Sequence, residues 1–152
     1  MRGTLFLVVG PSGAGKDSLI DGARAELAGR RDIVFASRVI TRPPKSGDED
    51  NLFATPEEFA AMQATGAFML HWEAHGLFYG IPAEAANLLA CGTSVVANVS
   101  RSVLPAARAT FQPAHILSVL VPRDVRAKRL RARGREDEAD IAALLCHRNG
   151  AD

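Results

Sequence analysis

Hydrophobic spacing changes repeatedly along the chain, and each change predicts an element. Leu5-Phe6-Leu7-Val8-Val9 is an unbroken apolar run of strand length, the pattern of a parallel strand covered on both faces. Gly10-Pro11-Ser12-Gly13 ends it abruptly. From about Lys16 to Ala28 the spacing becomes helical, with Leu19, Ile20, Ala23 and Leu27 on one face. Ile33–Ile40 predicts a second strand, and the polar stretch Arg42–Asn51, with two prolines and a run of acids, predicts a loop. Thr55-Pro56-Glu57-Glu58 is a helix start: Thr55 caps, Pro56 takes the first helical position and Glu58 completes a capping box. Gly66 closes that helix, and another begins at Pro82 and stops at Gly92. Thr93–Val99 and Ile116–Val121 predict further strands. A basic helix covers Asp124–Arg133, and a last helix runs from about Asp137 to Arg148. Strands alternating with helices predict an α/β fold in three layers, a parallel core sheet with helices on both faces.

The bulk numbers narrow the class without choosing a function. A chain of 152 residues fits one domain. A net charge of +1 provides no global field for nucleic acid or an anionic surface, so neither nucleic acid nor membrane is an expected partner. The apolar runs are too short to span a bilayer, and the N-terminus has no signal-peptide pattern. Cys91 and Cys146 form no ligand cluster and are expected as small apolar side chains in a reducing cytoplasm.

Chemistry first appears after the opening strand. Gly10-Pro11-Ser12-Gly13-Ala14-Gly15-Lys16 fits the first seven positions of GxxxxGK(S/T), with Asp17 at the eighth and Ser18 following. Glycines let the backbone curl around an anion with its N–H groups inward, and the helix behind adds its positive end. Gly10–Ser18 is therefore the expected binding loop for ATP, with Lys16 reaching the outer phosphates. Asp17 stands where a hydroxyl usually ligates Mg²⁺. A carboxylate is also a hard oxygen donor, so Asp17 is the expected metal ligand. The plainer alternative is a solvated first-turn acid favoured by the helix dipole. The acid often found after a core strand has no counterpart; Ser94-Val95-Val96-Ala97-Asn98 offers Asn98 there.

The loop, together with Thr41-Arg42-Pro43-Pro44, Gly76-Leu77-Phe78-Tyr79-Gly80 and Arg129-Leu130-Arg131-Ala132-Arg133-Gly134, resembles the guanylate-kinase fold group. Within that group the chain is similar to the ribose 1,5-bisphosphate phosphokinases of phosphonate breakdown. The matching residues are Gly15-Lys16-Asp17-Ser18, Arg38-Val39-Ile40-Thr41-Arg42-Pro43, His71-Trp72-Glu73-Ala74-His75-Gly76-Leu77, Tyr79-Gly80-Ile81-Pro82, Asn98-Val99-Ser100-Arg101 and Arg133-Gly134-Arg135-Glu136. The resemblance implies transfer of the ATP γ-phosphoryl to ribose 1,5-bisphosphate, giving phosphoribosyl diphosphate, in an enzyme that uses Mg²⁺, with a homodimer as the candidate assembly. It implies one domain with core segments 1–34, 83–123 and 138–152, an acceptor-binding insert at 35–82 and a lid at 124–137. Arg42, Lys45 and Tyr79 match acceptor-phosphate positions, Arg38 and Arg101 are candidates for the second phosphate, and Arg129, Arg133 and Arg135 match lid cations. His71 is a candidate for the sugar pocket, and His75 is expected as a structural histidine.

Two departures from guanylate kinases fit that acceptor. Guanine-reading carboxylates are replaced by His71 and Ser100, and Arg38 stands where a small hydroxyl residue is usual. A base reader is lost and a phosphate-binding fork gained. The last helix has Leu144 where the group commonly has an arginine, with Arg148 one turn later. The group also continues into a further strand and helix, which a chain ending at Asp152 would lack. Three rival expectations remain: a guanylate or other nucleoside monophosphate kinase, a guanylate-kinase-like binding module without catalysis, and a folded remnant that binds ATP but is inactive.

Overall fold

In a computed structural model, residues 1–45, 50–134 and 137–146 are described. The first strand, β1 (Leu5–Val9), is followed by α1 (Lys16–Glu26) and β2 (Ile33–Phe35). Next come β3 (Val39–Ile40), β4 (Leu52–Phe53), α2 (Pro56–Ala64), β5 (Phe68–Ala74), β6 (Leu77–Pro82) and α3 (Glu84–Ala90). The chain returns through β7 (Ser94–Asn98), a 3-10 turn at Arg101–Val103, α4 (Leu104–Thr110), β8 (Ala114–Ser118), α5 (Arg123–Arg133) and α6 (Glu138–Cys146).

Two sheets divide the work. The core sheet has the order β2-β7-β1-β8 and every pairing in it is parallel. The second has the order β4-β3-β6-β5, with antiparallel pairing of β6 to both β3 and β5. The unbroken apolar run of β1 is explained by its central place: Leu5, Leu7 and Val9 point into the main core while Val8 is buried on the other face. That main core is shared between the sheets, since Leu70, Trp72 and Ile81 pack in the same cluster as Val95, Ala97 and Val99. A smaller cluster of Leu130, Ile141 and Leu144 joins α5 to α6.

Several expectations need correction. Ile33–Ile40 is not one strand. Residues 36–38 separate β2, in the core sheet, from β3, in the second sheet. The last core strand lies at Ala114–Ser118 rather than 116–121, and 119–121 instead leave its end as loop. On α1 the predicted apolar stripe is only half covered: Leu19 is 57% exposed and no residue of the helix is fully buried. Cys91 and Cys146 are both exposed. The capping box at Thr55 forms as expected, with Glu58 N–H donating to Thr55 Oγ1 at 3.1 Å and Thr55 N–H to the Glu58 carboxylate at 2.7 Å. Among the described residues no helix is long and apolar enough to cross a membrane. Arg135, Arg148 and the acids Asp48 and Glu49 of the predicted loop lie outside the described residues.

Candidate active site

The parallel core sheet fixes where a site can form, because its strands all end on the same edge. β1 delivers the loop 10–15, β7 delivers Asn98, and β8 delivers Val119, Leu120 and Val121 to that edge. Ligands of such sheets sit outside the carboxyl ends of the strands. A cleft of about 1110 Å³ opens there, walled on its far side by the second sheet and on its flank by α5 and α6.

Nearly every predicted residue reaches this cleft. Pro11, Ser12, Gly13, Ala14, Gly15, Lys16, Asp17 and Ser18 line one wall. Gly10 lies behind it, packed so closely that a Cβ would meet the Val119 carbonyl at 2.6 Å. The loop needs its glycines: Gly13 and Gly15 have φ of 78° and 86°, left-handed conformations that other residues rarely adopt. Arg38, Arg42, Lys45 and Tyr79 line the opposite wall. Arg38 and Arg42 flank Ile40 of β3 at every second position, and all three face the cleft, as the strand period requires. Each guanidinium is braced by a ring, Arg38 lying 5.8 Å from the Tyr79 centroid and Arg42 5.7 Å from Phe53. Tyr79 itself stacks on the buried Trp72 with centroids 5.5 Å apart. Arg129 and Arg133, four residues apart on α5, line the flank.

Arg101 opens the 3-10 turn after β7 and is not among the residues lining the cleft. It is nevertheless felt there. Burial pushes the Lys16 ammonium down to about 8, helped by the charges of Arg38, Arg101 and Arg133, while Asp17 pulls it back up. Four cations thus converge on one end of the sheet, where a multiply charged anion would relieve their mutual repulsion. The histidine expectation is reversed: His75, at the β5–β6 turn with φ of 53°, lines the cleft beside Leu77. His71 is exposed on β5, tilted against Phe68, and is not among the lining residues.

Asp17 and Asn98 meet. The Asn98 amide nitrogen donates to Asp17 Oδ1 at 2.9 Å. Its other atom, Oδ1, is buried and has no hydrogen-bond partner among the described residues. A carboxylate beside an orphaned amide oxygen is a hard-donor pair that suits Mg²⁺. No group of three or more His, Cys, Asp or Glu residues that could hold a metal occurs among the described residues.

Sequence reasoning missed one residue outright. Arg126 reads as part of a solvated basic helix, yet it is 1% exposed and is the largest fully buried side chain described. Its spacing of four from Leu130, the apolar residue buried on the same helix, is the signal that places it on the inner face.

No family model matches the chain. It is 49% identical over 144 residues to a ribose 1,5-bisphosphate phosphokinase PhnN of Rhizobium etli (strain CIAT 652), an alignment covering 95% of this chain and 73% of that protein. The protein of the same name in Methylobacterium radiotolerans (strain ATCC 27329 / DSM 1819 / JCM 2831 / NBRC 15690 / NCIMB 10815 / 0-1) is 46% identical over 150 residues, covering 99% and 85% of the two chains. Among solved structures, a guanylate kinase from Anaplasma phagocytophilum superposes with a TM-score of 0.64 at 21% identity, covering 96% of this chain and 72% of that one, and so shows the fold. At this identity and coverage the chain belongs to the ribose 1,5-bisphosphate phosphokinase family, phosphotransferases on a guanylate-kinase-like fold.

Proposed function

We propose that the chain transfers the γ-phosphoryl group of ATP to the 1-phosphate of ribose 1,5-bisphosphate, forming 5-phosphoribosyl 1-diphosphate and ADP. The carrying observation is the composition of the acceptor wall. Arg38, Arg42 and Lys45 face the phosphate loop across one cleft, and among the described residues the acids lining that cleft, Asp17 and Asp140, stand on α1 and α6 rather than on the second sheet. A guanine reader would need a carboxylate on the acceptor side. A sugar with two phosphates needs cations there, and arginine forks bind phosphate bidentately.

The roles follow from position. Gly13 and Gly15 let the loop close around the triphosphate, and Lys16 meets its outer phosphates. Tyr79, with Arg38 over its ring and Arg42 lining the same cleft, holds the acceptor so that an oxygen of its 1-phosphate faces the γ-phosphorus. A P–O bond forms to that oxygen as the bond from the γ-phosphorus to the β–γ bridging oxygen breaks, the electron pair leaving with ADP. Lys16, Arg129 and Arg133 offset the charge that moves onto the bridging oxygen, which is where most of such catalysis lies. Arg135 would add to them, and Arg101 supports the cluster from behind. Asp17 and Asn98 would hold Mg²⁺, which when bound neutralises the phosphates. Exposed Cys91 and Cys146 remain thiols in a reducing compartment, in keeping with a cytoplasmic enzyme.

The test is release of ADP measured in a coupled assay, first with ribose 1,5-bisphosphate and then with GMP as acceptor. Turnover with the sugar bisphosphate alone is expected. Turnover with GMP would restore the nucleotide acceptor, and ATP binding without turnover on either would restore the non-catalytic module.

A further inference from the structure

α5 presents two different faces to the phosphate loop. Arg129 and Arg133 line the cleft, whereas Arg126 is turned inward beside Leu130. The Arg126 guanidinium donates from Nε to the Ser12 carbonyl at 3.2 Å and from Nη2 to the Leu144 carbonyl at 2.7 Å. It therefore joins the loop to α6 through α5. The loop lies directly on α5 at this point, since a Cβ on Gly13 would sit 3.0 Å from Leu130 Cγ and 3.1 Å from the Arg126 carbonyl.

The loop carbonyls follow a pattern. Lys16 Nζ donates to the Gly10 carbonyl at 2.5 Å, Arg126 to that of Ser12, and Arg129 Nη1 to that of Ala14 at 3.1 Å. Carbonyls at alternate positions are thus each taken by a cation. In a trans peptide the C=O and the following N–H point to opposite sides of the chain. Holding the Ser12 carbonyl toward α5 turns the Gly13 N–H away from α5, toward the cleft that Gly13 lines. Packing alone would not call for an arginine at position 126. A buried cation is costly to desolvate, and an apolar side chain beside Leu130 would fill the same space more favourably.

We propose that Arg126 is a positioning residue for phosphoryl transfer: by gripping the Ser12 and Leu144 carbonyls it aims the Gly13 amide at bound phosphate and ties the shape of the loop to the placement of α6. The inference rests on the loop being the ATP site. It assigns Arg126 no contact with either substrate.

Arg126→Met keeps the apolar stem and removes the donors; Arg126→Lys keeps a cation able to serve one carbonyl. Melting temperature, ATP affinity by titration calorimetry and steady-state kinetics on both substrates would be measured for each. Arg126→Met should bind ATP about tenfold more weakly, the worth of one charge-assisted hydrogen bond, with the acceptor KM changed less than twofold. Arg126→Lys should fall between it and the wild type. In labelled protein, the shift of the Gly13 amide resonance on adding ATP should shrink in the same order. A folded Arg126→Met with wild-type ATP affinity overturns the proposal, as does equal loss for both substrates in step with melting temperature. If Arg126→Met does not fold, Arg126→Lys decides by the same readouts, and failure of both to fold makes the residue structural. A wild-type chain that binds no ATP refutes the nucleotide reading itself, whereas wild-type binding with unaffected variants refutes this inference alone.

Discussion

Replacing Arg38 with serine separates the two sides of the cleft. The fold should survive, because the contact between Arg38 and the Tyr79 ring, at 5.8 Å, is worth about 0.5–1 kcal/mol at a partly exposed site. Acceptor binding should not survive unchanged. A charge-assisted hydrogen bond contributes about 1.5–3 kcal/mol. At 1.4 kcal/mol per factor of ten, kcat/KM for ribose 1,5-bisphosphate should fall about ten- to a hundredfold. The nucleotide side should move the other way. Arg38 is the foremost charge holding Lys16 down to about 8, after burial itself. Without it the ammonium rises toward its ordinary value, so above pH 8 more of it stays protonated and ATP affinity is retained or improved. Steady-state kinetics with each substrate varied, together with ATP titrations at pH 7 and pH 9, would read both effects. Equal losses for ATP and acceptor would show that Arg38 is structural. No loss for the acceptor would remove the argument for a bisphosphate.

Other expectations follow from the same geometry. With Lys16 near 8 in the free protein, about half of it is neutral at pH 8; bound phosphates raise it, so ATP binding there should take up roughly half a proton and weaken as pH rises further. Calorimetry in two buffers of different ionisation enthalpy would detect this, and uptake that persists in Lys16→Ala would assign it elsewhere. Leu130→Ala, at a fully buried contact between α5, α6 and Gly13, should cost about 2–5 kcal/mol in urea unfolding, and a loss below 1 kcal/mol would contradict the packing described. Asp17→Asn should weaken Mg²⁺ binding in the presence of nucleotide several-fold, by removing the charged half of the Asp17–Asn98 donor pair. Unchanged affinity would leave Asp17 as a helix-end acid.

The nucleotide side was plain in the sequence because its physics is local: one strand, a loop needing glycine at positive φ, and one helix. The acceptor wall was harder. β3 and β4 have two residues each, too short for any periodicity to register, and they exist because β6 pairs with β3, which in turn pairs with β4. β5 and β6 pair around Trp72 and Tyr79, but the sequence shows these positions only as motif residues and not as strands. Leu19 looked like core from its spacing and is exposed, since spacing shows which residues share a face and not whether anything covers it. Arg126 failed for the opposite reason. Its charge suggested solvent, while its partners, the carbonyls of Ser12 and Leu144, lie 114 and 18 residues away and leave no local trace.

Phosphoryl transfer to the sugar makes one new P–O bond, and phosphorus NMR of the reaction mixture follows that bond most directly. Incubation with ATP, Mg²⁺ and ribose 1,5-bisphosphate should convert the sugar 1-phosphate resonance into the coupled pair of a diphosphate, in step with ADP, while the 5-phosphate resonance is retained. An unchanged sugar bisphosphate alongside conversion of GMP to GDP, or no new phosphate linkage with any acceptor, would contradict it.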